Sequence, residues 1–470
     1  MADHPSLRFA VQVNQNKYLA PADRAMHVII TVRASGAGAP AAPSPPPRVA
    51  EVLLVDCSSS MDWPPTKIDA ARHACRVAID TVGDGALFGV VEGTGAARLV
   101  YPAGPGLAVA DARTRREAKA AVAGMVACGG TAMSAWLDLA RELFERSPAP
   151  VRHAVLLTDG NNQSEAPGAL DAVLDRCRGR FACDARGIGA DWWPAELRRI
   201  ASALGGRADA VVADELLADD FRQLVEQAMG RTAPDVRLRL RTMPYTGLRF
   251  VKQVFPTAVD LTERCRAAGE GVELPIGDWG QEQREYHLCL DVDTAALTRG
   301  RDQLLGVAAL VVADEHGSGA ERPVLGHLTD DLELSSVLDK NVAQVTDQAE
   351  LARAVEDGWA AVNRGDLVEA AREWGVARRL AVALGHTELR ERLEKLVEVR
   401  PGGQVVIKDG VDPRHRLSVV LSATISTHVN PPLLVPDAGP PRECDGCGHA
   451  ARPTAKCCGR CGRVLSGDAS

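Results

Sequence analysis

Hydrophobic and polar positions change rhythm several times along the chain. Leu7, Phe9, Val11 and Val13 alternate with Arg8, Ala10, Gln12 and Asn14, and His27 to Val32 is rich in β-branched residues, so the pattern predicts two N-terminal strands. Ala34 to Arg48 has no apolar period and is crowded with alanine and proline, which predicts a linker or exposed loop. From Glu51 to about Gly230, short apolar runs rotate strictly with helical patterns. Val52 to Val55, Ala86 to Val91, Leu99 to Tyr101, Ala154 to Leu157, Phe181 to Arg186 and Ala208 to Val212 read as strands. Lys67 to Val82, Thr114 to Val126, Met133 to Glu145, Gly168 to Cys177, Pro194 to Leu204 and Glu215 to Met229 read as helices. Unalternated apolar strands separated by helices predict an α/β fold, a doubly wound parallel sheet covered on both faces.

From Asp235 the period becomes two. Val236, Leu238 and Leu240 alternate with three arginines, and Tyr286, Leu288, Leu290 and Val292 alternate with His287, Cys289 and Asp291. Such strands are antiparallel with one solvated face. The two N-terminal strands have no other obvious partners, so the α/β domain is expected to be inserted into an antiparallel β-sandwich. Between Asp347 and Val399 a helical period returns, with Leu351, Val355, Trp359 and Val362 on one face and Leu367, Ala371, Trp374, Ala381 and Leu384 on the next. That pattern resembles a tetratricopeptide-like hairpin. The expected division is N-terminal strands over 1–34, a linker over 35–49, the α/β domain over 50–231 and the sandwich over 232–336. The helical hairpin follows over 337–400, then strands, loop and a Pro-rich linker over 401–442 and a cysteine-rich module over 443–465.

Composition adjusts this picture modestly. A chain of 470 residues needs about three packed units. The charge of 54 − 62 = −8 is the wrong sign for a dedicated nucleic-acid binder. No apolar segment approaches the ~20 residues of a membrane helix, and Met-Ala-Asp-His-Pro does not begin a basic-then-apolar leader, so the expected location is cytoplasmic with no membrane contact.

The candidate chemistry starts where the first α/β strand ends. Val52-Leu-Leu-Val-Asp56-Cys-Ser58-Ser-Ser60-Met61 places a carboxylate and two hydroxyls at alternate positions. In open α/β sheets ligands bind at that edge. Gly129-Gly130-Thr131 and Thr158-Asp159-Gly160 reach the same edge if the sheet is parallel. All the candidate donors are oxygens, which suits a hard cation such as Mg²⁺ or Mn²⁺. At these residues the chain resembles the von Willebrand factor A-domain family, whose metal-ion-dependent adhesion site combines Asp-x-Ser-x-Ser with a distant Thr and a distant Asp. The resemblance covers roughly residues 48–229. It implies Ser58, Ser60 and Thr131 as hydroxyl ligands, with Asp56 and Asp159 binding directly or through water, and a free coordination position for an Asp or Glu of a partner protein. Cys57 and Ser59 are expected to point inward, and Asp62 to be a solvated loop residue or an outer support of the site.

An Asp at the end of a first strand also opens aspartyl-phosphate chemistry, so a metal-dependent phosphohydrolase is the competing reading. Those enzymes generally carry a second carboxylate two residues on, where this chain has Ser58, a poor proton shuttle without an adjacent base. No Walker A stretch, Gly-x-Ser-x-Gly or His-Glu-x-x-His occurs. His73 and His153 are expected to be packing or exposed residues.

Seven of the twelve cysteines (Cys57, Cys75, Cys128, Cys177, Cys183, Cys265, Cys289) are scattered singly and read as small buried thiols. Glu443-Cys444-Asp-Gly-Cys447-Gly448 and Cys458-Gly-Arg-Cys461-Gly462 form two knuckles ten residues apart, a spacing of the zinc-ribbon kind. Cys444, Cys447, Cys458 and Cys461 are the expected Zn²⁺ ligands; Cys457 is an alternative to Cys458, and His449 a weaker competitor. A redox dithiol or disulfide pair is the other reading of the cluster. Arg442 to Arg463 holds five basic and two acidic residues, so it is 5 − 2 = +3 before ligation and about +1 once four thiolates hold Zn²⁺. That favours a protein-contact module, with a nucleic-acid-associated role through the ribbon as the alternative. The order of parts resembles bacterial intracellular VWA proteins, including those in tellurium-resistance neighbourhoods beside kinases and phosphatases. The resemblance implies a non-enzymatic adaptor or scaffold in a signalling or stress-response assembly.

Overall fold

The computed structural model describes residues 7–36, 49–312, 321–336, 339–401 and 403–426, and the backbone of 442–443 and 450–451. The chain begins with β1 (Arg8–Gln15), β2 (Tyr18–Leu19) and β3 (Ala25–Ser35). The α/β domain then runs β4 (Val49–Asp56), α1 (Thr66–Thr81), β5 (Leu87–Gly93), β6 (Ala97–Tyr101), β7 (Ala108–Val109), α2 (Ala112–Ala123) and α3 (Met133–Glu145). It continues with β8 (Val151–Thr158), α4 (Ala169–Cys177), β9 (Ala182–Ile188), α5 (Pro194–Leu204), β10 (Ala208–Val211) and α6 (Leu217–Met229).

Its seven-stranded sheet has the order β10-β9-β8-β4-β5-β6, with β7 also pairing β5. Residues of β4 alternate between two cores. Ala50, Val52 and Leu54 join the side covered by α3, α4 and α5, while Leu53 and Val55 join the side covered by α1, α2 and α6. Both sides are apolar, which is why the strand reads as an unbroken hydrophobic run. The sheet is mixed rather than wholly parallel, because β6 and β7 run antiparallel to β5. Short returns with no helix between them cannot make the crossover that a parallel neighbour needs.

The chain goes on through β11 (Ala233–Thr242), β12 (Thr246–Phe255), β13 (Val259–Asp260), β14 (Arg266–Ala268), β15 (Gly271–Trp279), β16 (Gln283–Val292), β17 (Asp302–Val311) and β18 (Arg322–Leu328). Two sheets result, β1-β3-β16-β12-β13 and β14-β15-β11-β17-β18-β2, so strands from before and after the α/β domain share them. Val28, Ile30, Tyr286 and Leu288 from one sheet meet Leu238, Leu240, Leu274 and Leu310 from the other in one core. These sheets are not purely antiparallel, since β2 pairs β18 in parallel. Ser35 ends β3 and Val49 opens β4, and residues 37–48 of the expected linker lie outside the described residues.

Helices α7 (Leu332–Ser336), α8 (Lys340–Asn363), α9 (Leu367–Ala383) and α10 (Thr387–Leu396) follow, so a shorter third helix, α10, continues the expected hairpin of α8 and α9. Trp374 is fully buried against Gly358, where an added Cβ would lie 2.4 Å from the indole. β19 (Val397–Val399) pairs β20 (Val405–Ile407), and beyond them, where only strands and loop were expected, a further helix, α11 (Pro413–Ser422), forms. Asp412 caps α11 by accepting from Arg414 N, and Pro413 opens it. Leu417 and Leu421 pack into the α/β core and Val419 into the helical core. Each buried side chain of this size contributes roughly 1.5–3 kcal/mol, so α11 ties the helical unit to the α/β domain.

Candidate metal centre

In the sheet order, β4 and β8 are neighbours whose following helices pass to opposite faces: α1 packs with one core and α4 with the other. The divergence opens a crevice beyond their C-terminal ends, the place where α/β sheets bind ligands. Asp56 ends β4 and Thr158 ends β8, so the two motifs lie side by side.

Asp56 is fully buried. Its Oδ1 accepts from Ser58 N at 2.7 Å and its Oδ2 from Thr158 Oγ1 at 2.6 Å. Burial pushes the Asp56 carboxyl up to about 6, against the lowering effect of those hydrogen bonds. Ser58 Oγ and Ser60 Oγ are 2.9 Å apart, and Ser60 Oγ donates to Asp159 Oδ1 at 2.6 Å. Asp159 is fully buried, and Lys67 Nζ reaches its other oxygen at 2.7 Å.

The glycines explain how Thr131 arrives. Gly129 has φ +84°, and an added Cβ at Gly130 would fall 1.9 Å from Ser164 Oγ. Only glycine satisfies both the left-handed turn and the close approach. Ser164 Oγ accepts from Thr131 N at 3.1 Å, and Ser164 N donates to Thr131 O at 2.9 Å. Gly129 O accepts from Ser59 N at 2.9 Å, which laces this loop to the serine loop. Trp136, whose Nε1 donates to Thr94 O at 2.8 Å, anchors the start of α3 behind it. A Cβ at Gly160 would stand 3.3 Å from Ser60 Oγ and 3.5 Å from Thr131 Oγ1. The bare glycine thus leaves a cradle bordered by two hydroxyls, beside the carboxylates.

This donor set fits a small hard cation. The hydroxyl proton of Ser60 is already turned to a carboxylate, so its lone pairs stay available. Among the described residues no group of three or more His, Cys, Asp or Glu side chains could hold a metal, and this centre differs in that hydroxyls outnumber carboxylates.

Each predicted residue of the serine, threonine and aspartate motifs lies at this edge. Of the two neighbours expected to point inward, Cys57 is buried but Ser59 is exposed. Asp62 is exposed beyond the short turn Ser59–Asp62. Cys128 is also exposed, while Cys57, Cys75, Cys177, Cys183 and Cys289 are buried; these and Cys265 are free thiols. Sequence reasoning missed Lys67, Thr158 as the donor to Asp56, and two exposed tryptophans. Trp63 is 82% exposed after the serine loop, and Trp193 is 59% exposed beyond the end of β9, on the same edge of the sheet. A tryptophan inside a loop that follows a strand was the available signal for both. Cys444, Cys447, Cys457, Cys458, Cys461 and His449 lie outside the described residues; the flanking backbone pairs Arg442–Glu443 with Ala450–Ala451.

A family profile described as von Willebrand factor type A domain matches residues 51–210. The structure of a von Willebrand factor type A protein from Catenulispora acidiphila is 38% identical, with a TM-score of 0.83, and the match covers 91% of this chain and 99% of that one. The ArnB paralog VWA2 from Sulfolobus acidocaldarius is 15% identical over 89% of this chain and 100% of that one, with a TM-score of 0.54, a likeness of fold alone. No curated protein matches the sequence.

Proposed function

Because the chain belongs to the von Willebrand factor type A family, we propose that its α/β domain is a non-enzymatic protein-interaction module that binds Mg²⁺ or Mn²⁺ and offers it to a partner's carboxylate. Ser58, Ser60 and Thr131 would hold the ion by their hydroxyls, and Asp56 and Asp159 directly or through water. The observation that carries this reading is the cradle at Gly160, bordered by Ser60 and Thr131 hydroxyls beside two fully buried aspartates. The ion supplies charge that neutral hydroxyls leave uncompensated, so an Asp or Glu of a partner protein completes its shell. Trp63 and Trp193 give the same edge exposed aromatic surface, which suits a partner whose carboxylate is flanked by apolar residues.

At the C-terminus Cys444, Cys447, Cys458 and Cys461 would take Zn²⁺ in a ribbon that adds a second contact surface. The whole chain then acts as an intracellular bacterial adaptor in a signalling or stress-response assembly. No helix among the described residues is long and apolar enough to cross a membrane.

The test is a pull-down by the full chain from a lysate of its native host, in Mg²⁺ and in EDTA, repeated with Asp56→Ala and Thr131→Ala. Partners should be retained only by the unsubstituted protein in Mg²⁺. Equal retention by both variants and in chelator would overturn the reading.

A further inference from the structure

Lys67 lies in the first turn of α1, with its side chain 8% exposed. Its Nζ is 2.7 Å from Asp159 Oδ2, 3.4 Å from Ser60 O and 4.0 Å from the exposed Asp191. Two general costs attach to this position. The first turn of a helix disfavours a cation through the macrodipole, and burying a lysine stem gives up rotamer freedom. The surrounding fold nevertheless makes room for it. Gly189, at φ +76° beyond the end of β9, lies so close that a Cβ there would stand 3.0 Å from Lys67 Cε and 3.2 Å from Nζ. A slot shaped by a glycine, with a carboxylate at its end, marks the lysine as a built part of the centre.

The charges then decide what it does. Counting the buried groups, with the exposed Asp191 screened by solvent, Asp56, Asp159 and Lys67 sum to −1 − 1 + 1 = −1; a divalent ion brings the centre to +1. Without the lysine the same ion would bring −2 to zero. We infer that Lys67 is an internal counter-cation that weakens divalent-ion binding by the protein alone and keeps the loaded centre positive, so that an incoming carboxylate completes its neutralisation. Lys67 therefore makes ion and acidic ligand depend on one another. By linkage, whatever the carboxylate adds to ion affinity, the ion adds equally to carboxylate affinity. The ammonium occupies one oxygen of Asp159 and leaves the other to Ser60, so it competes for charge without filling the cradle at Gly160.

This inference rests on the metal-binding reading above, and the experiment separates the two. Full-length protein, with Zn²⁺ supplied to the C-terminal cysteines, is titrated with Mn²⁺ and the free ion is read by electron paramagnetic resonance, with and without acetate as carboxylate probe. Lys67→Met should bind Mn²⁺ about tenfold more tightly than the unsubstituted protein, Lys67→Arg within about threefold of it, and Thr131→Ala much more weakly. Acetate should tighten Mn²⁺ binding to the unsubstituted protein and do so less in Lys67→Met. Lys67→Gln keeps a hydrogen-bond donor to Asp159 without the charge and takes the place of Lys67→Met should the latter not fold; the same gain is expected. Mn²⁺ binding that both neutral variants leave unchanged or weaken overturns the role of Lys67 alone. No Mn²⁺ binding by the unsubstituted protein beyond that of Thr131→Ala overturns the metal reading, and this inference with it.

Discussion

The two edges of the α/β sheet, at the C-terminal and N-terminal ends of its parallel strands, bury the same kinds of charge to different ends. At the C-terminal edge lie Asp56, Asp159 and Lys67; at the N-terminal edge Glu51 and Asp184 flank His153. His153 sits between its carboxylates, with Nδ1 2.9 Å from Glu51 and Nε2 2.9 Å from Asp184. The spare oxygen of Asp184 accepts from Arg207 N. Burial opposes charging of His153, yet the two carboxylates overcome it and lift the imidazole to about 9, while His153 holds Asp184 below the usual carboxylate range. That edge is closed, with cation and anions fully engaged. Lys67 by contrast reaches Asp159 and not Asp56, whose described partners are a backbone N–H and two hydroxyls. A buried carboxylate with no cation among its described partners, beside hydroxyl lone pairs, is the arrangement from which the metal-binding proposal starts.

The comparison breaks most visibly at the closed edge. His153→Leu leaves two buried carboxylates facing each other and should cost about 3–5 kcal/mol, read by urea denaturation. Next comes pH. The folded imidazole value of about 9 exceeds its unfolded value of roughly 6.5, so its stabilisation is complete below the lower value and lost as pH rises through the higher. The thermal transition should therefore fall by about 4 °C or more from pH 7 to 9.5, and much less in His153→Leu. At the open edge the sign reverses. Burial has raised the Asp56 carboxyl, so Asp56→Asn in chelator should stabilise the protein by about 1 kcal/mol at pH 7.5 while lowering Mn²⁺ affinity. A loss comparable to His153→Leu would show that the two edges are alike. The smallest effect belongs to a pair outside both edges. Arg198 and Glu356 join the α/β domain to α8 at 2.7 Å with Glu356 half exposed, and Arg198→Ala should change stability by under about 0.5 kcal/mol.

The open edge was largely legible because its residues fall in short motifs directly after strands, where backbone geometry delivers them. Lys67 was not, since its partner Asp159 is 92 residues away and nothing in a helical stretch marks one lysine as buried. The closed edge left a signal that sequence reasoning passed over. Glu51, His153 and Asp184 are each the third residue of a mostly buried strand; the register sets Glu51 opposite His153, and Asp184 lies two residues further along, opposite Val155. Charged residues within reach of one another on neighbouring buried strands mean an ion network, but only once the strands are known to be neighbours. The tryptophans of the C-terminal edge were overlooked because an aromatic residue is read first as core.

What the sequence determined by itself is whatever depends on near neighbours: the rotation of strand and helix, the change to a period of two, and the oxygen-rich motifs with the glycines their turns require. Hydrophobic period reports which side of an element is buried, not what covers it. Strand order, the reversed direction of β6 and β7, the docking of α11 between two cores and the cation given to Asp159 rather than Asp56 were decided by tertiary packing. Each joins residues far apart in the chain, and burial of apolar area, which is non-directional, selects among such partners only when the whole domain closes.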